Sequence, residues 1–369
     1  MRCALVLARR ARTHPNPMVG AVIVKEGKIV GEGWHQGVGT PHAEAAAFTA
    51  AGAAARGATV YVTLEPCSHT HNSDGSPRTS CASRCLAAGV SRVVVAMVDP
   101  DDRVSGRGIA LLREAGVAVS IGLQEKTARA LNAAYIKHRT TGYPYITHKA
   151  AMTLDGKIAA IGGDSRWITG SRARSWAHRY LRHRADAILV GVGTVLADDP
   201  SLTTRLPSGN GHDPLRVIVD SSLNTPLTAQ VARPGTLFIA ASGKAKEESI
   251  KALELTGAEV TELPVGSDGY MDVQTLARLL AERGMYNLLL EGGGELASSF
   301  WQAKLIDKAV FFIAPKVIGG RDAKTPVEGA GLSRSMADAV SLDELRIRRF
   351  GQDIALEGEV TREPCSPEL

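Results

Sequence analysis

What this sequence lacks narrows its chemistry first. It has no run of about 18 apolar residues, so no membrane-spanning helix is expected. Five cysteines in 369 residues are too few for a disulfide framework. They fit a reducing compartment, and a cytoplasmic protein is the expectation. Aromatic residues make up 5% of the chain, and no dense Lys/Arg run is interleaved with them. A nucleic-acid surface of stacking platforms along a basic groove is therefore not expected. No Gly-x-Gly-x-x-Gly follows the first strand of the second half, which excludes a Rossmann fingerprint there. Met1–Arg12 sets Leu5, Val6 and Leu7 among basic residues but is too short for a signal peptide. A short amphipathic helix is expected instead.

What is present suits a globular protein of two domains, with 44% hydrophobic and 22% charged residues. Residues 1–142 carry 17 Lys/Arg against 10 Asp/Glu, a net +7, whereas residues 143–369 carry 26 against 28, a net −2. A basic half suits a phosphorylated small molecule or nucleic acid, although solvated surface is the commoner origin of such a balance. Strand-like runs at Val19–Val24, Thr59–Thr63, Arg92–Val98 and Val117–Ile121 alternate with helix-like ones at His42–Ala55, Cys81–Ala88, Gly108–Ala115 and Glu125–Arg139. Gly31–Gly39 reads as a glycine-rich turn. Thr140-Thr141-Gly142-Tyr143-Pro144 marks a boundary, after which the pattern restarts. Strands are expected at Tyr145–Lys149, Ala187–Val190, Arg216–Asp220, Thr236–Ala241, Asn287–Glu291 and Ala309–Ala314. Helices at Ser171–Arg182, Val273–Arg283 and Leu296–Ala303 fall between them. The fold class is α/β, with one domain over 1–142, a second over 143–362, and a frayed tail at 363–369.

His42 and Glu44 open an alanine-rich helix, and the strand after it ends in Thr63-Leu64-Glu65-Pro66-Cys67. H-x-E followed by P-C-x-x-C marks zinc nucleobase deaminases. Here the cysteines after Cys67 are Cys81 and Cys85, one turn apart at the start of a helix. One imidazole and two thiolates make a three-ligand catalytic zinc site that keeps a position for water. Glu44, close by but not a ligand, is suited to carry the proton to departing ammonia. A lone His or Cys is most often a packing residue; the linked motifs weigh against that reading here. His69 and His71 are rival donors, but loop histidines are commonly solvated.

With these motifs, Thr13-His14-Pro15-Asn16-Pro17-Met18-Val19-Gly20-Ala21-Val22-Ile23-Val24, Gly31-Glu32-Gly33-Trp34-His35 and Ser68-His69 resemble the deaminase half of the bifunctional riboflavin-biosynthesis deaminase/reductase family. In that family the second cysteine opens a helix that ends eight residues later in glycine; counting back from Gly89 gives Cys81. The resemblance thus implies zinc held by His42, Cys67 and Cys81, with Glu44 as the catalytic residue, and sets Cys85 aside. The Ser68–Ser80 loop is longer than is usual in the family. Arg78 and Thr79 stand in for its substrate-phosphate contacts, one position nearer the cysteine. Asn16 and His35 are implied to contact the base or position the site. Asn16 offers a donor and an acceptor to a pyrimidine edge; between two prolines it equally shapes a turn.

In the second half, Glu291-Gly292-Gly293-Gly294-Glu295-Leu296-Ala297 leads from a strand into a helix. Glycines there let backbone N–H groups approach a phosphate, although many glycine runs are simple turns. Lys149-Ala150-Ala151-Met152-Thr153-Leu154-Asp155-Gly156-Lys157, Ser165-Arg166-Trp167-Ile168-Thr169 and the stretch from Gly193 to Arg205 are similar to the reductase half of the same family. The resemblance implies a cytidine-deaminase-like first domain and a dihydrofolate-reductase-like second domain that uses NADPH. Implied cofactor contacts are Ala151, Trp167, Thr194, Asp198, Ser221, Gly293, Gly294, Glu295, Leu296, Ala297, Ser298 and Ser299. Implied substrate contacts are Ser165, Arg182, Leu202, Arg205 and Glu291, with Lys149 a further candidate near the reacting sugar. Arg182 and Arg205 suit a phosphate as planar forks, and Arg184 competes with Arg182 for its role.

The function implied is hydrolytic deamination of a diaminopyrimidinone carrying a ribosylamino phosphate, then NADPH-dependent reduction of the sugar to a ribityl chain. The partner is a phosphorylated small molecule rather than nucleic acid or membrane. Family members commonly assemble, which makes a homo-oligomer the expectation. The rivals are a nucleic-acid deaminase, which needs no NADPH, and a scaffold with a decayed deaminase half.

Overall fold

The structure, a computed structural model, describes residues 1–71, 76–266 and 271–361. The expected tail and part of the Ser68–Ser80 loop lie outside the described residues. The chain divides into two compact units, Met1–Tyr143 and Pro144–Leu369. Among the described residues no helix is long and apolar enough to cross a membrane.

The first unit carries strands β1 (Gly20–Lys25), β2 (Lys28–Trp34), β3 (Thr59–Val62), β4 (Arg92–Val95) and β5 (Ala118–Ile121) in the order β2-β1-β3-β4-β5. The pairs β1/β2 and β1/β3 are antiparallel; β3/β4 and β4/β5 are parallel. Helices α1 (Arg2–Ala8), α2 (Ala43–Ala51), α3 (Cys81–Ala87), α4 (Arg107–Glu114), α5 (Glu125–Leu131) and α6 (Ala133–Thr141) complete it. The core joins Val60, Val62, Val93 and Val95 of the sheet to Ala43, Ala47 and Ala51 of α2.

Two expectations are corrected here. Gly31 and Gly33 are not turn residues but lie within β2. They are small because α2 runs close across them: a Cβ on Gly31 would stand 2.3 Å from the Ala47 carbonyl, and one on Gly33 2.2 Å from that of Ala43. The single helix expected over Glu125–Arg139 is split at Asn132 into α5 and α6. The buried Asn132 side chain accepts from Met18 N–H (2.8 Å) and donates to Met18 C=O (3.0 Å), pinning the segment before β1.

The second unit has a nine-stranded sheet. Its strands are β6 (Tyr145–Thr153), β7 (Ala187–Gly191), β8 (Leu215–Val219), β9 (Thr236–Ala241), β10 (Glu259–Leu263), β11 (Asn287–Glu291), β12 (Ile306–Ala314), β13 (Leu342–Phe350) and β14 (Asp353–Val360). The order is β10-β9-β8-β7-β11-β6-β12-β14-β13. All neighbours from β10 to β12 are parallel, and the β13–β14 hairpin closes one side antiparallel. Helices α7 (Ser171–Tyr180), α8 (Val192–Asp198), α9 (Glu247–Glu254), α10 (Val273–Glu282) and α11 (Gly294–Gln302) connect the strands. Strands β7 and β9 are buried along almost their whole length, as continuous apolar runs in a covered parallel sheet should be.

Candidate functional site

Three side chains converge in the first unit. His42 stands at the N-cap of α2, Cys67 follows β3, and Cys81 opens α3. Ser80 caps α3 by accepting from Ser83 N–H at 3.0 Å, which fixes where Cys81 begins. Cys67 Sγ lies 3.6 Å and Cys81 Sγ 3.4 Å from His42 Nδ1, and the Cys81 N–H donates to Cys67 Sγ at 3.4 Å. The three donor atoms all lie within 4.8 Å of one another, the one such group among the described residues. His69 and His71 are exposed and outside it. Cys85 is fully buried, and burial pushes its thiol up, away from thiolate.

The electrostatics favour a soft cation. Hydrogen bonds from Cys81 and His42 hold the Cys67 thiol well below its ordinary range, against the cost of burial. One imidazole and two sulfurs, mostly buried, make a donor set that fits zinc. Glu44 is buried one residue into α2, and burial first, then the Cys67 charge, raise its carboxyl to about 7. A carboxyl poised there exchanges protons near neutral pH.

A supporting layer surrounds these groups. Pro41 C=O lies 3.2 Å from His35 Nδ1 and can only accept, so the neutral ring donates there and takes Asn16 Nδ2–H on Nε2 at 3.0 Å. That turns the Asn16 oxygen away from His35, and the His35 ring stands edge-on to His42 at 5.6 Å. Arg78 reaches the cluster itself: its Nη2 is 3.2 Å from both His42 ring nitrogens and 3.4 Å from Cys67 Sγ. Thr79 is exposed beside it.

Glu65 is a residue the motif reading passed over. Its carboxylate accepts four backbone N–H groups: Asp99 (3.3 Å), Gly106 (2.9 Å), Gly108 (2.9 Å) and Ile109 (3.2 Å). It thereby ties the Cys67 segment to the start of α4. A Cβ on Gly108 would stand 1.9 Å from the Pro66 carbonyl, so α4 approaches this closely only with glycine there. The Thr-Leu-Glu-Pro-Cys order held the signal, since a buried acid beside a ligand needs such donors.

In the second unit Lys149 and Glu291 are register partners on the parallel strands β6 and β11. Arg182 grips Glu291 with Nε on Oε1 (3.0 Å) and Nη2 on Oε2 (2.8 Å), and Lys149 Nζ lies 3.5 Å from Oε2. Burial pushes Glu291 up, but Arg182 and Lys149 override it and hold it below the usual carboxylate range. Arg182 Nη1 donates to Thr203 C=O at 3.1 Å, whereas Arg205 is exposed. Arg184 stands apart, its guanidinium over the Tyr180 ring. Leu202 is buried, at φ 51°.

The residues expected around a cofactor fall at the carboxyl ends of the central strands. A Cβ on Gly292 would lie 2.7 Å from Thr194 Oγ1, and one on Gly294 2.4 Å from Thr325 C=O, so this turn packs tightly between two segments. Gly294, Glu295, Leu296, Ala297, Ser298 and Ser299 form the first turns of α11, with Gly293 as its N-cap. Ser165 Oγ donates to Asp198 at 2.6 Å. Trp167 is 59% exposed, with the Arg174 guanidinium 4.3 Å over its ring. Ala151 lies on β6, and the Ser221 carbonyl accepts from Ala241 N–H at 3.0 Å.

Comparison with known proteins agrees with this division. Residues 1–97 match the cytidine and deoxycytidylate deaminase zinc-binding region, and residues 144–356 the RibD C-terminal domain. The chain is 39% identical to the riboflavin biosynthesis protein RibD of Aquifex aeolicus, over 96% of both chains. It is 41% identical to that of Escherichia coli, over 96% of this chain and 97% of the other. Among solved structures it resembles Acinetobacter baumannii RibD, with a TM-score of 0.84 at 35% identity over 98% of both chains. A Thermotoga maritima diaminohydroxyphosphoribosylaminopyrimidine deaminase/5-amino-6-(5-phosphoribosylamino)uracil reductase gives 0.80 at 31%, covering 98% of this chain and 97% of that one. A deaminase-like first unit and a reductase-like second unit on one α/β chain are thus established, and the chain belongs to the RibD family of riboflavin-biosynthesis proteins.

Proposed function

We propose that this chain deaminates a diaminopyrimidinone carrying a ribosylamino phosphate and then reduces the ribosyl group to ribityl. The observation that carries the reading is the His42, Cys67 and Cys81 cluster with a buried, near-neutral carboxyl at Glu44. Those three side chains would hold zinc, which would supply the Lewis acidity that makes water a nucleophile near neutral pH. Glu44 would take a proton from the attacking water and deliver it to the amino group, which leaves as ammonia. Asn16, oriented by His35, presents its amide oxygen to the ring edge of the base. Thr79, together with Arg78 once its guanidinium leaves His42 and Cys67, supplies the phosphate end.

In the second unit NADPH supplies the hydride. The Gly292–Gly294 turn and the first residues of α11 would hold its phosphates through backbone N–H groups; Thr194 packs against Gly292. Trp167, Asp198, Ser221 and Ala151 line the remainder of that site. Lys149 and Glu291 face the sugar, Ser165 and Leu202 flank it, and Arg205 meets the phosphate. Domain limits of 1–142 and 143–362 match this split of tasks.

The test is incubation with the diaminopyrimidine phosphate, with and without NADPH, and mass detection of both products. Glu44→Gln is expected to abolish ammonia release while leaving NADPH oxidation on pre-deaminated substrate intact. Equal loss of both activities contradicts a two-site enzyme.

A further inference from the structure

His178 lies on α7 with 8% of its surface exposed, against the exposed Arg205. Arg205 sits in a stretch, 199–214, that forms neither helix nor strand. Just before Arg205 the segment is tied where Thr203 C=O accepts from Arg182 Nη1 at 3.1 Å and Thr204 N–H donates to Asp213 Oδ1 at 2.7 Å. At Arg205 itself the backbone N–H donates to His178 Nδ1 at 3.2 Å. A neutral imidazole has a single acceptor nitrogen, so its proton is then on Nε2. His178 Nε2 lies 3.3 Å from Arg205 Nη2. That is donor against donor, so the ring takes up none of the guanidinium's hydrogen bonds. Arg182 differs, since its Nε, Nη1 and Nη2 all donate to Glu291 or Thr203.

The ring stays neutral for a physical reason. Burial, then Arg182 and Arg205, with Lys149 in the same sense and Glu291 opposed, press its pKa down to about 4. We propose that His178 is a positioning residue, which holds the Arg205 backbone so that the guanidinium presents its donors to the phosphate of the reductase substrate. This rests on the reading of Arg205 as a phosphate contact.

The experiment is steady-state reduction of pre-deaminated substrate by wild type, His178→Phe, His178→Asn, His178→Gln, Arg205→Ala and the double variant His178→Phe/Arg205→Ala. His178→Phe is expected to raise KM roughly fivefold, the worth of one hydrogen bond, with kcat nearly unchanged. His178→Asn, whose Oδ1 takes the place of Nδ1, should restore KM. His178→Gln, which puts its oxygen nearer the Nε2 position, should not. In the double variant the Phe change should add nothing to the loss from Arg205→Ala. A raised KM in Arg205→Ala with a normal one in His178→Phe overturns the proposal. So does equal behaviour of the Asn and Gln variants, which decides alone where His178→Phe does not fold. A normal KM in Arg205→Ala instead overturns the phosphate-contact reading beneath it.

Discussion

Arg182 and Glu291 meet edge to edge, two parallel hydrogen bonds of 3.0 and 2.8 Å between a buried carboxylate and a guanidinium side chain that is 15% exposed. Each neutralises the other where water cannot. Removing one partner leaves a buried charge, a change that costs roughly 3–5 kcal/mol. Arg182→Ala is expected to fall at the lower end, because Lys149 remains 3.5 Å from the carboxylate. Arg182→Ala/Glu291→Gln should recover much of that loss. Urea unfolding of the wild type, both single variants and the double variant measures the coupling; additive losses would show that the pair does not act as a unit.

Glu65 makes the corresponding prediction in the first unit. All four of its hydrogen bonds come from backbone donors, so both oxygens must accept. Glu65→Gln turns an NH2 group against those donors at unchanged size. A loss of about 2 kcal/mol or more follows from the unmade buried bonds, together with weaker zinc retention as the Cys67 segment loosens. Thermal melting and competition with a zinc chelator measure the two effects. Unchanged zinc retention in a destabilised protein would confine Glu65 to a structural role.

How much of this was legible in the sequence depends on how local the signal is. His42, Glu44, Cys67 and Cys81 lie on short motifs, and the fold brings the three donors together. Asn16 and His35 were legible as candidates, but their mutual hydrogen bond crosses from a loop to the end of β2 and leaves no pattern. Strand β2 was hidden because its glycines answer to the approach of α2, not to strand propensity. Strand β13 was hidden because it is exposed on both faces and charged at the sheet edge. His178 carried no signal: a lone histidine on a helix acquires its role only through a loop folded back from beyond β7.

Cys81 and Cys85 separate a ligand from a packing thiol one turn away. Cys81 Sγ is 3.4 Å from His42 Nδ1, whereas Cys85 lies outside the donor cluster. Cys81→Ser is expected to lose bound zinc and ammonia release. Cys85→Ser should keep zinc while losing about 1–3 kcal/mol from a hydroxyl buried without a planned partner. Elemental analysis of both purified variants gives the answer, and zinc lost from Cys85→Ser alone would reverse the assignment.

His148 supplies a pH dependence within the second unit. It is buried on β6, accepts from Trp301 Nε1–H at 3.0 Å, and burial with the Lys149 charge lowers its pKa to about 4. The unfolded chain, with an ordinary histidine at 6.5, binds the proton more readily than the native one. Stability tied to this group is therefore complete above about pH 6.5 and declines as the pH falls toward 4. Between about pH 7.5 and about pH 5 the loss comes to roughly 2 kcal/mol. His148→Asn, whose Oδ1 takes the place of Nδ1, keeps an acceptor for Trp301 but does not titrate, so its stability should fall by that much less over the same range. Urea unfolding at the two pH values decides it: an equal fall in wild type and variant would mean that His148 binds protons alike in both states.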